Sequence, residues 1–190
     1  MEFVPTPSQT VGPYLHIGLT RKHSLFHMAG PETKGEHIWL KMRVLDRDGQ
    51  PLNDCMVEIW QANSEGKYDH PDDRQNKAAD PHFHGFGRAA TDEEGRCEFE
   101  TIKPGRVPGP GAMLQAPHLN LAVFARGILL QLYTRMYFAG EASNDQDTVL
   151  ALVPPDGRET LLAQPDPERP GGWLFEIHLC GANETVFFDV

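Results

Sequence analysis

The sequence predicts an all-β protein, an antiparallel β-sandwich of about eight to ten strands with long irregular loops and at most one or two short helices. Two observations favour this fold class. Short apolar segments whose side chains alternate between two faces recur along the chain. Turn-forming residues separate these segments, since the 190 residues include 18 Gly and 16 Pro, and that content also predicts few long helices.

The elements follow in chain order. Residues 1–36 have little periodicity and form an irregular N-terminal arm and loop, and residues 37–190 form the sandwich of a single domain spanning 1–190. Residues 143–152 favour a short helix, because Ser143 can cap it and Pro154 ends it. A long polar loop covers residues 67–85. Alternation predicts strands over residues 37–44, 55–61, 87–90, 96–102, 118–126, 129–138, 173–179 and 185–190, with a short segment at 160–163.

Charge and cysteine usage narrow the function classes. The formal net charge of −10 repels phosphate backbones, so nucleic acid is not an expected partner, and any anionic ligand needs a local Arg or Lys. Cys55, Cys97 and Cys180 show no disulfide or CxxC pattern, which is typical of a reducing compartment. Residues 1–5 do not begin a signal peptide, and no apolar segment approaches membrane-spanning length. We expect a cytoplasmic protein.

The predicted strand over residues 118–126 has the shape of a metal site without its donors. His118 and Asn120 are two positions apart, so their side chains project from the same face of the strand. The neutral amide of Asn120 is a poor ligand for a hard trivalent metal. A bound metal and a pocket histidine with a satisfied hydrogen bond are both compatible with this pattern, and the single donor favours the second.

Six segments, spread in order over almost the whole chain, resemble the intradiol ring-cleavage dioxygenases. Within that family, residues 121–127 and 184–189 resemble most the α chains of the two-chain members that act on protocatechuate (3,4-dihydroxybenzoate). The six segments are residues 7–14, 58–63, 87–88, 101–105, 116–121 and 133–138.

The resemblance implies a chain that lost its metal. Catalytic members of the family hold a non-haem ferric ion with two tyrosines and two histidines. The corresponding positions here are Gln75, Val107, His118 and Asn120, so three of the four ligands are absent. The resemblance therefore implies no metal and no catalytic residue in this chain alone. It implies that a partner β chain binds Fe(III), and that the hetero-oligomer cleaves protocatechuate with O2 to 3-carboxy-cis,cis-muconate in aromatic catabolism, the β-ketoadipate pathway.

The resemblance also implies that this chain forms part of the substrate site. Thr10, Gly12, Pro13, Tyr14 and Arg126 are expected to form a wall of the site shared with the β chain. Parity along the strand places Arg126 on the His118 face, and its guanidinium suits a carboxylate-bearing substrate. The alternatives are an ordinary surface arginine and a loosely attached arm.

Other histidines and functions stay open at this point. His82 and His84, with His70 nearby, either mimic a ligand cluster or are exposed loop histidines. Arg135 is interpreted as a structural residue. Two further hypotheses are a transthyretin-like binding or scaffold domain derived from a dioxygenase, and an independent metalloenzyme that uses the three histidines.

Overall fold

The computed structural model describes residues 8–20 and 25–189. Two short α helices, α1 (Pro13–Leu19) and α2 (Pro155–Arg158), accompany eight strands. The strands are β1 (His37–Leu45), β2 (Met56–Trp60), β3 (Phe86–Ala90), β4 (Arg96–Ile102), β5 (His118–Phe124), β6 (Leu132–Phe138), β7 (Leu162–Pro165) and β8 (Gly172–His178). Four short 3-10 helices lie at Pro110–Ala112, Ala142–Gln146, Leu150–Leu152 and Glu159–Leu161.

The strands pair in the order β3-β2-β5-β6-β7-β8-β1-β4. Most pairs are antiparallel, while β6 with β7 and β1 with β8 are parallel. Parallel neighbours need a long connection, which the segment between β6 and β7 supplies with its 3-10 helices and α2. The predicted all-β class and strand number are confirmed, and the two parallel pairings make the sheet mixed.

One apolar core joins the two halves of this sheet. The alternation in β1 buries Ile38, Leu40, Met42 and Val44 on one side. These side chains belong to the same cluster as Ile59 of β2 and the buried residues Leu119, Leu121 and Val123 of β5. Two half-sheets packed face to face therefore enclose the core, as a sandwich requires.

A second, smaller cluster covers the other face of β6. Tyr137 packs there with Ala116 and Leu161 from the connections that cross this face, together with Leu150 and Val153. Asp147, with 1% of its surface exposed, accepts hydrogen bonds from the backbone N–H groups of Ala116 and Leu150. These hydrogen bonds connect the segment that precedes β5 to the segment that follows β6.

The predictions for three segments were wrong in detail. The predicted arm contains α1, which begins at Pro13. The predicted helix over 143–152 consists of two 3-10 helices, and the side chain of Glu141 rather than Ser143 caps the first. The predicted last strand is a single bridge between Phe188 and Tyr133 within residues 185–189. Residues 1–7 and 21–24 of the predicted arm and loop, and Val190, lie outside the described residues.

Every helix in the described ranges is too short or too polar to cross a membrane. Cys55, Cys97 and Cys180 are free thiols, the first two buried and the third exposed.

Candidate functional site

Two loops meet beside the start of β5 and carry the positions of the two family tyrosines. Gln75 lies in the loop after β2, and Val107 in the loop after β4. The loops touch at Gly66, which has a φ of +75° and faces the carbonyl of Arg106. A Cβ on Gly66 would collide with that backbone, so a glycine is needed there. This close approach places Gln75 and Val107 on one cleft.

That cleft has a volume of about 400 Å³ and is lined by Gln75, Val107, Trp60, Tyr68 and Pro108 among others. The Tyr68 ring stacks on Trp60 with 5.8 Å between ring centroids. Asn120 reaches the same place, because its Nδ2 donates to the Tyr68 hydroxyl at 3.1 Å. We call this place, with its positions Gln75, Val107, His118 and Asn120, the remnant site.

The loop positions of the remnant site offer no ligand for a ferric ion. The Gln75 amide Nε2 donates to the Gly66 carbonyl at 2.8 Å and to the Asp73 carboxylate at 3.0 Å. Val107 is apolar and 5% exposed. Ferric iron prefers anionic oxygen donors, and neither residue supplies one.

The strand positions contribute a single nitrogen. Asn120 Nδ2 also donates to the Trp60 carbonyl at 3.2 Å. His118 is buried, and its Nδ1 donates to the Ala116 carbonyl at 2.8 Å, which leaves Nε2 as the ring's acceptor. Burial, and then the nearby charge of Arg135, lowers the pKa of His118 to about 4. The ring is therefore neutral at pH 7.

Two nearby phenols do not replace the missing ligands. Burial raises the pKa of Tyr68, and it raises the pKa of Tyr137 to about 12. Both hydroxyls stay protonated at neutral pH, and Tyr137 donates its proton to Asp147 at 3.3 Å. Within residues 8–20 and 25–189, no group of three or more His, Cys, Asp or Glu side chains could hold a metal ion. The residues of the remnant site do not fit a ferric ion.

Arg135 of β6 is a neighbour of the remnant site that was not singled out as such from the sequence. Its NH1 donates to Gln115 Oε1 at 2.6 Å and to the Tyr137 hydroxyl at 3.3 Å. The interpretation of Arg135 as a structural ion partner overlooked its pairing directly opposite Asn120 on the neighbouring strand. Strand pairing places the two side chains on one face, and register was the information that the sequence lacked.

The three loop histidines do not converge. His70, His82 and His84 face three different carboxylates, Asp72 at 3.7 Å, Glu32 at 3.4 Å and Asp69 at 2.9 Å. Their side chains are 52%, 49% and 83% exposed. This arrangement supports the interpretation as solvent-exposed loop histidines.

The predicted wall residues form a second surface, which we call the arm face: Thr10, Gly12, Pro13, Tyr14 and Arg126. The Thr10 hydroxyl accepts a hydrogen bond from the Gly127 backbone at 2.6 Å. Tyr14 is 83% exposed, and the Arg126 side chain is 77% exposed. Thr10 and Arg126 are therefore adjacent, and the aromatic ring of the arm projects outward.

Asp54 ties the arm face together and was not singled out from the sequence. Its carboxylate accepts a hydrogen bond from Arg126 Nε at 2.9 Å. Its backbone carbonyl lies 2.8 Å from Nε2 of His16, which donates from helix α1. A pairing of this kind leaves no local signal, because Asp54 and Arg126 are far apart in the sequence.

The arm face and the remnant site lie at opposite ends of β5. His118 begins this strand of seven residues and Phe124 ends it, so the separation along the strand is about 20 Å. Arg126 follows the strand in a turn where Gly127 has a φ of +91°. Arg126 therefore lies outside the strand, so the predicted placement on the His118 face by parity was wrong, and the arm face does not line the remnant cleft.

Known proteins resemble the chain over its whole length. A family described as Dioxygenase matches residues 11–179. The protocatechuate 3,4-dioxygenase alpha chain of Pseudomonas putida is 40% identical over 203 residues, covering 100% of this chain and 98% of that protein. The alpha chain of Burkholderia cepacia is 43% identical over 198 residues, covering 97% of both. The protocatechuate 3,4-dioxygenase beta chain of Burkholderia cepacia is 37% identical over 162 residues, covering 81% of this chain and 68% of the relative.

The family match extends from α1 to the end of β8, and the match to the Pseudomonas putida alpha chain also includes Thr10 of the arm face. The expected resemblance is confirmed, and the chain belongs to the intradiol ring-cleavage dioxygenase family.

Proposed function

We propose that this chain is the iron-free α subunit of a protocatechuate 3,4-dioxygenase. A homologous β subunit would bind the Fe(III), and the complex would convert 3,4-dihydroxybenzoate and O2 to 3-carboxy-cis,cis-muconate. The proposal rests on one observation with two parts. The chain is similar to alpha chains over its full length, and its remnant site offers a single donor nitrogen for a metal ion. Iron chemistry is a property of the family, and in this proposal it belongs to the partner.

The role of this chain is to complete the partner's substrate pocket with the arm face. The net charge of −10 repels an anionic substrate, so a local cation has to offset it. Arg126 supplies that cation. Its Nε is bound by Asp54, and the outward end of the guanidinium suits a carboxylate.

Tyr14 provides the apolar part of the same wall. Its ring is 83% exposed and held in place by the contacts of Thr10 and His16 with the sandwich. We infer that it packs against the aromatic substrate and excludes water from it, which improves positioning without any bond to the metal.

The proposal includes the organisation of the chain. Residues 1–190 form one domain, in which the arm serves the partner and the sandwich supports the arm. The complex is a cytoplasmic hetero-oligomer, in keeping with three free cysteines.

Purification alone and together with the β chain tests the proposal. The isolated chain should contain no stoichiometric iron and should not turn over protocatechuate, whereas the copurified complex should contain iron and be active. Tightly held iron with ring-cleaving activity in the isolated chain would contradict the proposal. A stable homo-oligomer that does not associate with a β chain would favour the binding or scaffold alternative.

A further inference from the structure

Arg135 of β6 lies beside the remnant site, directly opposite Asn120 on β5. It pairs with Asn120 across β5 and β6, and directly opposed side chains lie about 5 Å apart at Cβ. Its NH1 donates to Gln115 Oε1 at 2.6 Å, and the Gln115 backbone N–H donates to the Val107 carbonyl at 2.8 Å. Arg135 is therefore the cross-strand neighbour of Asn120 and is linked to Val107 through Gln115, and these are two of the four positions that the resemblance assigns to the metal ligands of catalytic relatives.

The same guanidinium nitrogen is linked to the His118 position through Tyr137. Arg135 NH1 lies 3.3 Å from the Tyr137 hydroxyl, and the Tyr137 ring lies 5.5 Å from the His118 ring between centroids. Tyr137 in turn donates to the buried carboxylate of Asp147. The positive charge is thus held by neutral oxygens, with an anion behind them.

The charge of Arg135 influences the pKa values of two residues of the site, His118 and Tyr68. Burial has the largest effect on the pKa values of His118 and Tyr68, and the Arg135 charge contributes to both. These two residues stand on either side of the remnant site, one at the start of β5 and the other in the loop after β2. The Arg135 charge therefore acts on residues from both the strand and the loop that form the remnant site.

We propose that the Arg135 guanidinium takes the place of the metal ion in this chain, and that it excludes metals from the remnant site in addition to the loss of ligands. A cation brought to this position would meet a fixed like charge in a partly desolvated environment, where repulsion is poorly screened. Restoring the ligands alone would then not restore binding. This inference is independent of the arm face and of the proposed catalytic complex.

The experiment compares two variants of the full chain that differ only at Arg135. The first carries Gln75→Tyr, Val107→Tyr and Asn120→His, which completes the family's ligand set with His118. The second adds Arg135→Gln. After exposure to ferric iron, we expect the first to remain colourless and iron-free. We expect the second to bind iron at least about tenfold more tightly, the scale on which neighbouring groups tune metal sites, with the visible colour of a phenolate–iron bond.

A matched control separates charge from shape. Arg135→Lys in place of Arg135→Gln keeps a cation at the site, and that variant should stay iron-free. Stoichiometric, tightly held iron in the first variant would overturn the proposal. Equal iron content in the Lys and Gln variants would overturn it as well.

A second pair of variants, with one and two substitutions, tests the same proposal if the chain with four substitutions does not fold. Asn120→His alone creates two histidines on one face of β5, and Ni²⁺ serves as the probe. Adding Arg135→Gln should strengthen Ni²⁺ binding about tenfold, after subtraction of binding by the native chain. Unchanged Ni²⁺ affinity in the folded double variant would contradict the displacement of a metal by Arg135.

Discussion

The carboxylate of Asp54 lies 2.9 Å from Arg126 Nε, while the backbone of the same residue holds His16 of helix α1 at 2.8 Å. One residue therefore fixes the direction of the exposed guanidinium and the position of the helix that carries Tyr14. Asp54 is only 26% exposed at its side chain, whereas Arg126 is 77% exposed. The Asp54 carboxylate is therefore largely covered by the sandwich, whereas the Arg126 guanidinium that it orients is exposed.

Arg126→Ala should impair protocatechuate more than catechol in the complex with the β chain. Removing a hydrogen bond to a charged group costs about 1.5–3 kcal/mol, so we expect a loss of about 10- to 100-fold in kcat/KM for the carboxylated substrate alone. Steady-state kinetics with both substrates measures the difference. Arg47→Ala, a change at another exposed arginine, is the control. An equal loss for both substrates would remove Arg126 from the pocket.

Asp54→Asn should reproduce part of that effect without touching the substrate. The amide keeps the size of the side chain and loses the charge that orients Arg126, so we expect a raised KM for protocatechuate with a smaller change in kcat. In a double-mutant cycle, Asp54→Asn should have no further effect once Arg126 is alanine. Additive losses would show that Asp54 does not act through Arg126.

Tyr14→Ala should separate folding from association. Because the ring is 83% exposed, the substitution should change the free energy of unfolding of the isolated chain by less than about 0.5 kcal/mol. Affinity for the β chain should fall by about 1–2 kcal/mol, as expected for an interface tyrosine. Leu152→Ala changes another residue that is 83% exposed, in the connection between β6 and β7, and should leave both quantities unchanged. Equal behaviour of the two variants would contradict a contact between Tyr14 and the β chain.

The buried His118 should make the fold less stable as the pH falls. Its folded pKa of about 4 lies below the ordinary 6.5, so between these values the unfolded chain binds a proton that the native chain does not. This contribution is complete above pH 6.5, and it decreases by about 2 kcal/mol between pH 7 and pH 5. Its loss ends once the pH falls through the folded pKa.

Denaturant unfolding at pH 7, 6 and 5 checks this prediction. The window stays above the range in which Asp73, Asp80 and Glu141 titrate, because their pKa values are lowered from ordinary values of 3.8, 3.8 and 4.5. His118→Gln should reduce the pH dependence, while His84→Gln, at an exposed histidine, should retain it. The same slope in the His118→Gln and native chains would refute the assignment.

The sandwich could be predicted because burial on one face imposes alternation on the sequence. Strand β1 and the start of β5 were placed correctly for that reason. Helix α1 was missed because it has no buried residue and is held by the contact of His16 with Asp54, which has no local sequence pattern. The prediction of a last strand over residues 185–190 was wrong because alternation of side chains does not by itself supply a partner strand. The backbone there pairs with β6 only at the bridge between Phe188 and Tyr133.

The remnant site was predicted at four positions, and its chemistry only in part. The family resemblance supplied the four positions, and the residue types at Gln75, Val107 and Asn120 then indicated the missing donors. The role of Arg135 depends on register, and the ion pair of Asp54 with Arg126 depends on how two distant turns meet. Both features depend on tertiary structure, which the periodicity of the sequence does not predict.

The distance of one strand between the remnant site and the arm face has a consequence for engineering. A designer can treat the two ends of β5 as independent modules. A new binding pocket or a dye-attachment point can be built in the cleft beside Tyr68. The partner's reaction should continue undisturbed, since among the described residues the lining of that cleft does not include Arg126 or its ion-pair partner Asp54.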